Sequence, residues 1–158
     1  MTPSKRSSSE VMVTAGDVLQ SLFKTTHQLH QQFEAELIAL HIPAYLTGPR
    51  LRFLIAVSES APIRMSDLAA KIGIKARTVT QFVDALEHEK LIVRVPDPED
   101  RRATFIQLSD SAPPLIQKAR AAMGEAAEKV LATLPSDSRK QLLDILDQLE
   151  ASKANEQI

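Results

Sequence analysis

Residues 66–86 read SDLAAKIGIKARTVTQFVDAL, two short segments with helical spacing of apolar residues around a single glycine. Ser66 suits an N-cap, Asp67 suits the first turn of a helix, and Gly73 suits its end. A second helix is predicted over about residues 75–89. Its inward-facing apolar residues are Val79, Phe82, Val83 and Leu86. Two helices joined by a tight glycine turn are the outline of a helix-turn-helix.

A β-hairpin is predicted directly after this segment. The stretches LIVRV at 91–95 and ATFIQL at 103–108 have the β-branched composition of strands, and PDPED at 96–100 separates them. Because this connection is too long for a two-residue turn, we expect its tip to project as a wing. Residues 63–65 are expected to add a small strand.

Amphipathic helices are predicted on both sides of this winged part. Apolar spacing indicates a long helix over about 17–40, a short one after Pro49, and two more after Pro113 and Pro135. The expected fold class is mainly α with a small β wing. We expect a disordered tail at 1–14 and one domain at 15–155. In that domain a winged lobe covers about 48–109, and dimerisation helices cover about 15–42 and 112–153.

The composition excludes several classes of site. The chain has no cysteine, which rules out disulfides and thiol chemistry. We find no glycine-rich phosphate loop, nucleophile elbow or clustered acid pair, and therefore expect neither an enzyme nor a cofactor. No apolar run is long enough to span a bilayer, so we expect a cytoplasmic protein without a membrane partner.

The second helix carries side chains suited to the major groove of double-stranded DNA. Arg77 can grip guanine and Gln81 can pair with adenine. Thr78 and Thr80 can contact phosphates or a thymine methyl group. Lys75 places a cation at the helix start, where it opposes the dipole unless a phosphate is the partner. The net charge of −1 argues against DNA binding, although only local positive charge is needed.

The predicted wing holds a second set of DNA-binding candidates. Arg101 and Arg102 lie at its tip, where an arginine can enter the narrow minor groove. Asp100 is expected to hold a neighbouring guanidinium in place, and Arg94 adds a cation to the same face.

These motifs resemble the MarR family of winged helix-turn-helix regulators. The stretch DRRATFIQLS at 100–109 is similar to that family's wing signature, with Ile106 and Ser109 as mild replacements. Lys75 departs from the family's usual capping residue, and the glycine usual after Ser109 is missing. The resemblance implies a homodimer on a palindromic operator, repression relieved by a small molecule, and minor-groove contact by Arg102. Exposed apolar surface on the terminal helices independently indicates a dimer.

The resemblance also implies an effector site between the dimerisation and winged lobes, for a small aromatic or anionic ligand. The candidate residues near that junction are His27, His30, Tyr45, Arg50 and Phe53. Ordinary packing would place the same residues there. His27, His30 and Glu34 share one helical face, a weak indication of a metal site, and we predict no metal.

A winged-helix module that binds another protein instead of DNA is the alternative. The near-neutral net charge favours it, and the wing arginines disfavour it because a protein interface usually needs an apolar patch. Reversing the charge of Arg77 separates the two hypotheses.

Overall fold

The computed structural model describes residues 11–46 and 48–154, with side chains as far as Ser152. Most of the predicted tail therefore lies outside the described residues. The elements in chain order are α1 (Ala15–Ala39), α2 (Gly48–Ser60), β1 (Ile63–Arg64), α3 (Met65–Ile72), α4 (Ala76–His88), β2 (Ile92–Pro96), β3 (Thr104–Leu108), α5 (Ala112–Val130) and α6 (Ser136–Ala154). The predicted class, mainly helical with a small β wing, is confirmed. None of the described helices is long and apolar enough to cross a membrane.

The sheet has three antiparallel strands in the order β1-β3-β2. Ile63 pairs with Ile106, and Ile92 pairs with Leu108 at the base of the hairpin. The short strand β1 thus ties the start of α3 to the central strand, so the wing and the helix-turn-helix share one framework.

The core lies where α2, α4 and α5 meet the sheet. Phe53 of α2 packs edge-on against Phe82 of α4, with ring centroids 5.4 Å apart. The largest fully buried side chains are Phe53, Leu37, Leu46, Leu51, Leu54, Leu68, Leu86, Ile92, Ile106, Val57, Val79 and Val83. Burial of this apolar surface fixes one face of α4 inward and leaves the other exposed.

The ends of α3 differ in how they are formed. Gly73 follows the helix with a φ of 72°, a left-handed conformation that favours glycine. The start differs from the prediction, because Arg64 occupies the N-cap position and Ser66 already lies inside the helix. Arg64 is extended because it pairs with Phe105 of β3. The start of α3 is therefore set by strand pairing and not by a capping hydroxyl group.

A polar contact joins α1 to α2. Glu34 of α1 accepts a hydrogen bond from the backbone N–H of Gly48, the first residue of α2. A Cβ at position 48 would lie 2.5 Å from that carboxylate oxygen. The absence of a side chain at Gly48 is what allows the contact.

Candidate nucleic-acid interface

The outer face of α4 is a ridge of exposed polar side chains. Arg77, Gln81 and Asp84 follow one another at spacings of four and three residues, so they share one side of the helix. Lys75 lies exposed at the N-cap without a side-chain capping bond. Because Val79, Val83 and Leu86 on the opposite face are buried, the ridge cannot turn inward.

The two threonines of α4 are placed differently from each other. The hydroxyl of Thr80 donates to the carbonyl of Ala76 at 3.1 Å, so its proton is used within the helix. Thr78 is half-buried beside the ridge. Thr80 is therefore better suited to an apolar contact through its methyl group than to donating to a phosphate.

Arg94 lies on β2 and faces α4. Its guanidinium binds Glu87 at 2.6 Å and also binds Asp84. The hydrogen bond that Arg94 donates to Asp84 is the main cause that raises the pKa of Arg94, and Glu87 adds to it. The sequence grouped Arg94 with the wing arginines, whereas the structure places it against two carboxylates of α4.

The backbone of the wing is held by Asp100. Its carboxylate accepts the N–H of Arg102 at 3.0 Å, and its carbonyl accepts the N–H of Ala103 at 3.0 Å. Asp100 was expected to hold a neighbouring guanidinium, and the contact seen among the described residues is with this backbone N–H. Arg101 and Arg102 are both exposed.

An ion pair between Arg64 and Asp97 anchors the base of the wing. The two side chains meet at 2.5 Å, and Arg64 also lies 5.6 Å from the centroid of the Phe105 ring. Asp97 is buried and accepts the N–H of Glu99 at 2.9 Å. That N–H is the largest cause that lowers the pKa of Asp97, and Arg64 lowers it further. Neither Arg64 nor Asp97 was among the site residues predicted from the sequence.

The structure does not bring the predicted effector-site residues together. Phe53 is buried in the core, and His27 lies on the exposed part of α1 beside Gln31. Tyr45 and Arg50 lie near the end of α4, where Arg50 donates to the carbonyl of Tyr45 at 3.0 Å. Burial is the main cause that raises the pKa of Tyr45.

His30 alone of that set lines a cleft between α1, α2 and α5. The cleft has a volume of about 280 Å³, and its lining residues are Leu29, His30, Phe33, Arg52, Ala127, Val130 and Leu131. Arg52, which also lines this cleft, was not among the residues expected near the junction. Among the described residues, no three or more histidines and acids are grouped to hold a metal, and Glu34 is engaged with Gly48.

Apolar side chains are exposed along α1 and α6. Phe23 is 69% exposed and Leu143 is 59% exposed. The others on and next to these helices are Val11, Met12, Val13, Val18, Leu19, Ile38, Leu142, Ile145, Leu146 and Leu149. Several exposed apolar side chains along the same helices are typical of a protein interface.

Comparison with known proteins finds a family match in the helix-turn-helix and the wing. A model of the MarR family matches residues 46–104. The chain is 28% identical over 101 residues to the uncharacterized HTH-type transcriptional regulator YdgJ of Bacillus subtilis. That match covers 64% of this chain and 62% of YdgJ, which is less than two thirds of the relative's length.

Solved structures match over nearly the whole described chain. AbsC, a MarR family transcriptional regulator from Streptomyces coelicolor, has a TM-score of 0.73 at 19% identity, covering 91% of this chain and 98% of AbsC. The MepR–DNA complex from S. aureus has a TM-score of 0.70 at 20% identity, covering 89% of this chain and 99% of MepR. The resemblance inferred from the sequence is therefore confirmed: residues 46–104 match the MarR family, and the described chain has the MarR fold.

Proposed function

We propose that this protein is a transcription regulator that binds double-stranded DNA as a homodimer. The observation that carries the proposal is the ridge of α4, whose back is fixed in the core while Arg77 and Gln81 face outward. Such a helix can enter the major groove while the exposed Arg101 and Arg102 reach the minor groove beside it. MepR, which shares the fold, was solved on DNA, and this supports the proposal. A regulator of this kind works in the cytoplasm.

The exposed apolar surfaces of α1 and α6 support the dimer. A twofold dimer places two recognition helices about 34 Å apart, one turn of B-DNA. The operator is then an imperfect palindrome whose half-sites lie one helical turn apart.

Selection of duplexes from a random library, followed by titration at several salt concentrations, tests DNA binding. Arg102→Ala should weaken binding to all sequences, whereas Gln81→Ala should change the base preference at one position of each half-site. Arg77→Glu should abolish retention of DNA. If the wild-type protein enriches no sequence and Arg77→Glu changes nothing, the protein-interaction module becomes the better explanation.

We extend the proposal to repression relieved by a small effector bound in the α1–α2–α5 cleft. Apolar residues form most of the cleft, and Arg52 and His30 add polar groups suited to a small aromatic anion. Benzoate is a suitable probe of this chemistry. It should release the selected duplex from the wild-type protein but not from Arg52→Ala, and equal release from both would remove this part of the proposal.

A further inference from the structure

A notch lies between the wing and the start of α3. It has a volume of about 230 Å³, and its lining residues are Arg64, Met65, Ser66, Arg102, Ala103 and Thr104. The lining residues therefore include two arginines and two hydroxyl-bearing residues, and no acidic residue is among them. This chemistry is suited to an anion with several oxygen acceptors.

Arg64 is held in a fixed orientation at this notch. Asp97 binds one terminal nitrogen of the guanidinium, and Phe105 lies 5.6 Å from its central carbon. The Asp97 side chain is only 3% exposed, whereas the Arg64 side chain is 39% exposed. A guanidinium has five N–H donors. Asp97 and Phe105 therefore fix the orientation of the group and leave other donors at its exposed edge.

The presence of Arg102 in the same notch argues against a purely structural ion pair. Asp97 neutralises one cation, and Arg102 then adds a positive charge beside Arg64. Two positive charges at one notch repel each other, and an anion bound there would relieve the repulsion. The helix α3 also starts at this notch without a side-chain cap, so its positive end adds to the same potential.

We propose that Arg64, oriented by Asp97, binds a phosphate of the DNA strand that borders the groove entered by Arg102. The inference rests on the proposed DNA binding and adds a contact that the sequence analysis did not identify. A phosphodiester has a single negative charge and exposed oxygen atoms, which match the free edge of a guanidinium.

The test compares two double variants that both keep the net charge of the wild-type protein. Arg64→Gln/Asp97→Asn removes the proposed contact without leaving a buried charge unpaired. Arg120→Gln/Glu59→Gln removes an exposed ion pair of 3.0 Å between α5 and α2, outside the notch. Binding to the duplex selected by the wild-type protein is measured over a range of salt concentrations.

In the notch variant, the negative slope of log K against log salt should become shallower by about 0.9, the value of one phosphate contact. The control variant should keep the wild-type slope. A scan with single neutral methylphosphonates then locates the phosphate. One position in each half-site should weaken the wild-type complex and have no effect on the notch variant. An unchanged slope, or the same methylphosphonate pattern in both proteins, would overturn the proposal and leave Arg64 as a structural residue.

Arg64→Lys keeps Asp97 paired and provides a second test that does not depend on the fold of the double variant. A lysine keeps the charge but loses the planar fork, so this variant should keep the salt slope and bind more weakly at every salt concentration. Wild-type affinity in Arg64→Lys would contradict the proposal. Failure of the wild-type protein to bind any duplex would instead reject the proposed function.

Discussion

Arg94 compensates two carboxylates on the helix proposed to meet DNA. Asp84 and Glu87 are exposed on α4, and without a cation they would repel the phosphates that Lys75 and Arg77 attract. The guanidinium of Arg94 binds both carboxylates from β2. On the proposed DNA-binding surface, Arg94 would therefore act by neutralising these acids rather than by reaching the DNA itself.

A rescue experiment separates these two roles. Arg94→Ala should weaken DNA binding several-fold at low salt, because it exposes two uncompensated negative charges. Adding Asp84→Asn and Glu87→Gln should then restore binding to near the wild-type level, as measured by fluorescence anisotropy with a labelled duplex. If the triple variant binds as weakly as Arg94→Ala, Arg94 contacts DNA directly.

Asp97 predicts a pH dependence of stability. The N–H of Glu99 and the Arg64 guanidinium hold the pKa of this carboxyl below its ordinary value of 3.8. The unfolded chain therefore takes up the proton at a higher pH than the folded chain does. The stability contributed by the ionised carboxylate is complete above the unfolded pKa and is lost as the pH falls through the folded one.

The variant Asp97→Asn should accordingly be less stable than the wild-type protein at neutral pH. The difference in free energy of unfolding should shrink as the pH falls below about 4, because Asp97 of the unfolded wild-type chain takes up a proton there before the folded chain does. Urea unfolding of both proteins at several pH values measures this difference. A difference that stays constant across the acid range would show that the charge of Asp97 does not stabilise the fold.

The outward ridge of α4 was visible in the sequence, whereas the partners of its neighbouring charges were not. The spacing of Val79, Val83 and Leu86 determines which side of α4 is buried, and Arg77 and Gln81 must then lie opposite. The Arg64–Asp97 pair depends on strand β1 meeting β3 in a particular register. The ion pair joins residues 33 positions apart, and the strand register on which it depends has no local signal.

The turn between α3 and α4 depends on one backbone conformation. Gly73 has a φ of 72°, and a Cβ built there meets nothing within 4 Å. Gly124 lies inside α5 and is equally free of neighbours. The two glycines therefore differ in backbone conformation but not in the space around them.

This pair allows a matched test of the helix-turn-helix. Gly73→Ala should lower the free energy of unfolding by about 1 kcal/mol, because L-residues are strained in the left-handed region. Gly124→Ala should raise it by roughly 0.5–1 kcal/mol, because alanine favours the helix interior. Denaturant unfolding at one protein concentration measures both changes. Changes of the same sign would contradict the assigned conformation of Gly73.

Most of the elements were predictable because burial imposes a period on each of them. Apolar spacing located α4 and α5 to within a few residues, and the β-branched runs located β2 and β3. The start of α3 was misplaced because a capping hydroxyl was expected, while strand pairing at Arg64 sets the boundary. Local rules fail where a distant strand fixes the backbone.

The terminal helices leave an apolar surface that the described chain does not cover. Leu143, Ile145 and Leu146 of α6 are exposed, as are Val18 and Phe23 of α1. Burial of such side chains in a dimer stabilises it by about 25 cal/mol for each Å² removed from water. A second copy of the chain is the expected partner of this surface.

Leu143→Glu/Leu146→Glu should convert the proposed dimer to a monomer, because two charges would be buried in it without partners. Sedimentation equilibrium measures the change in mass. Val93→Glu is the control, since Val93 is exposed on β2, away from the terminal helices, and should leave the dimer intact. If the α6 variant sediments as a dimer, association uses another surface.

The contact between Glu34 and Gly48 would help to set the distance between the two half-sites that a dimer binds. A methyl group at position 48 would displace only the end of a flexible side chain, so it would cost little in space. It would, however, release the carboxylate from the N–H of α2 and loosen the joint between α1 and α2. If α1 is fixed in a dimer, a weaker contact between α1 and α2 would let the distance between the winged lobes of the two subunits vary. Substitution of Gly48 would thus reduce the selectivity of the dimer for operators of one spacer length more than it reduces the affinity for a single half-site.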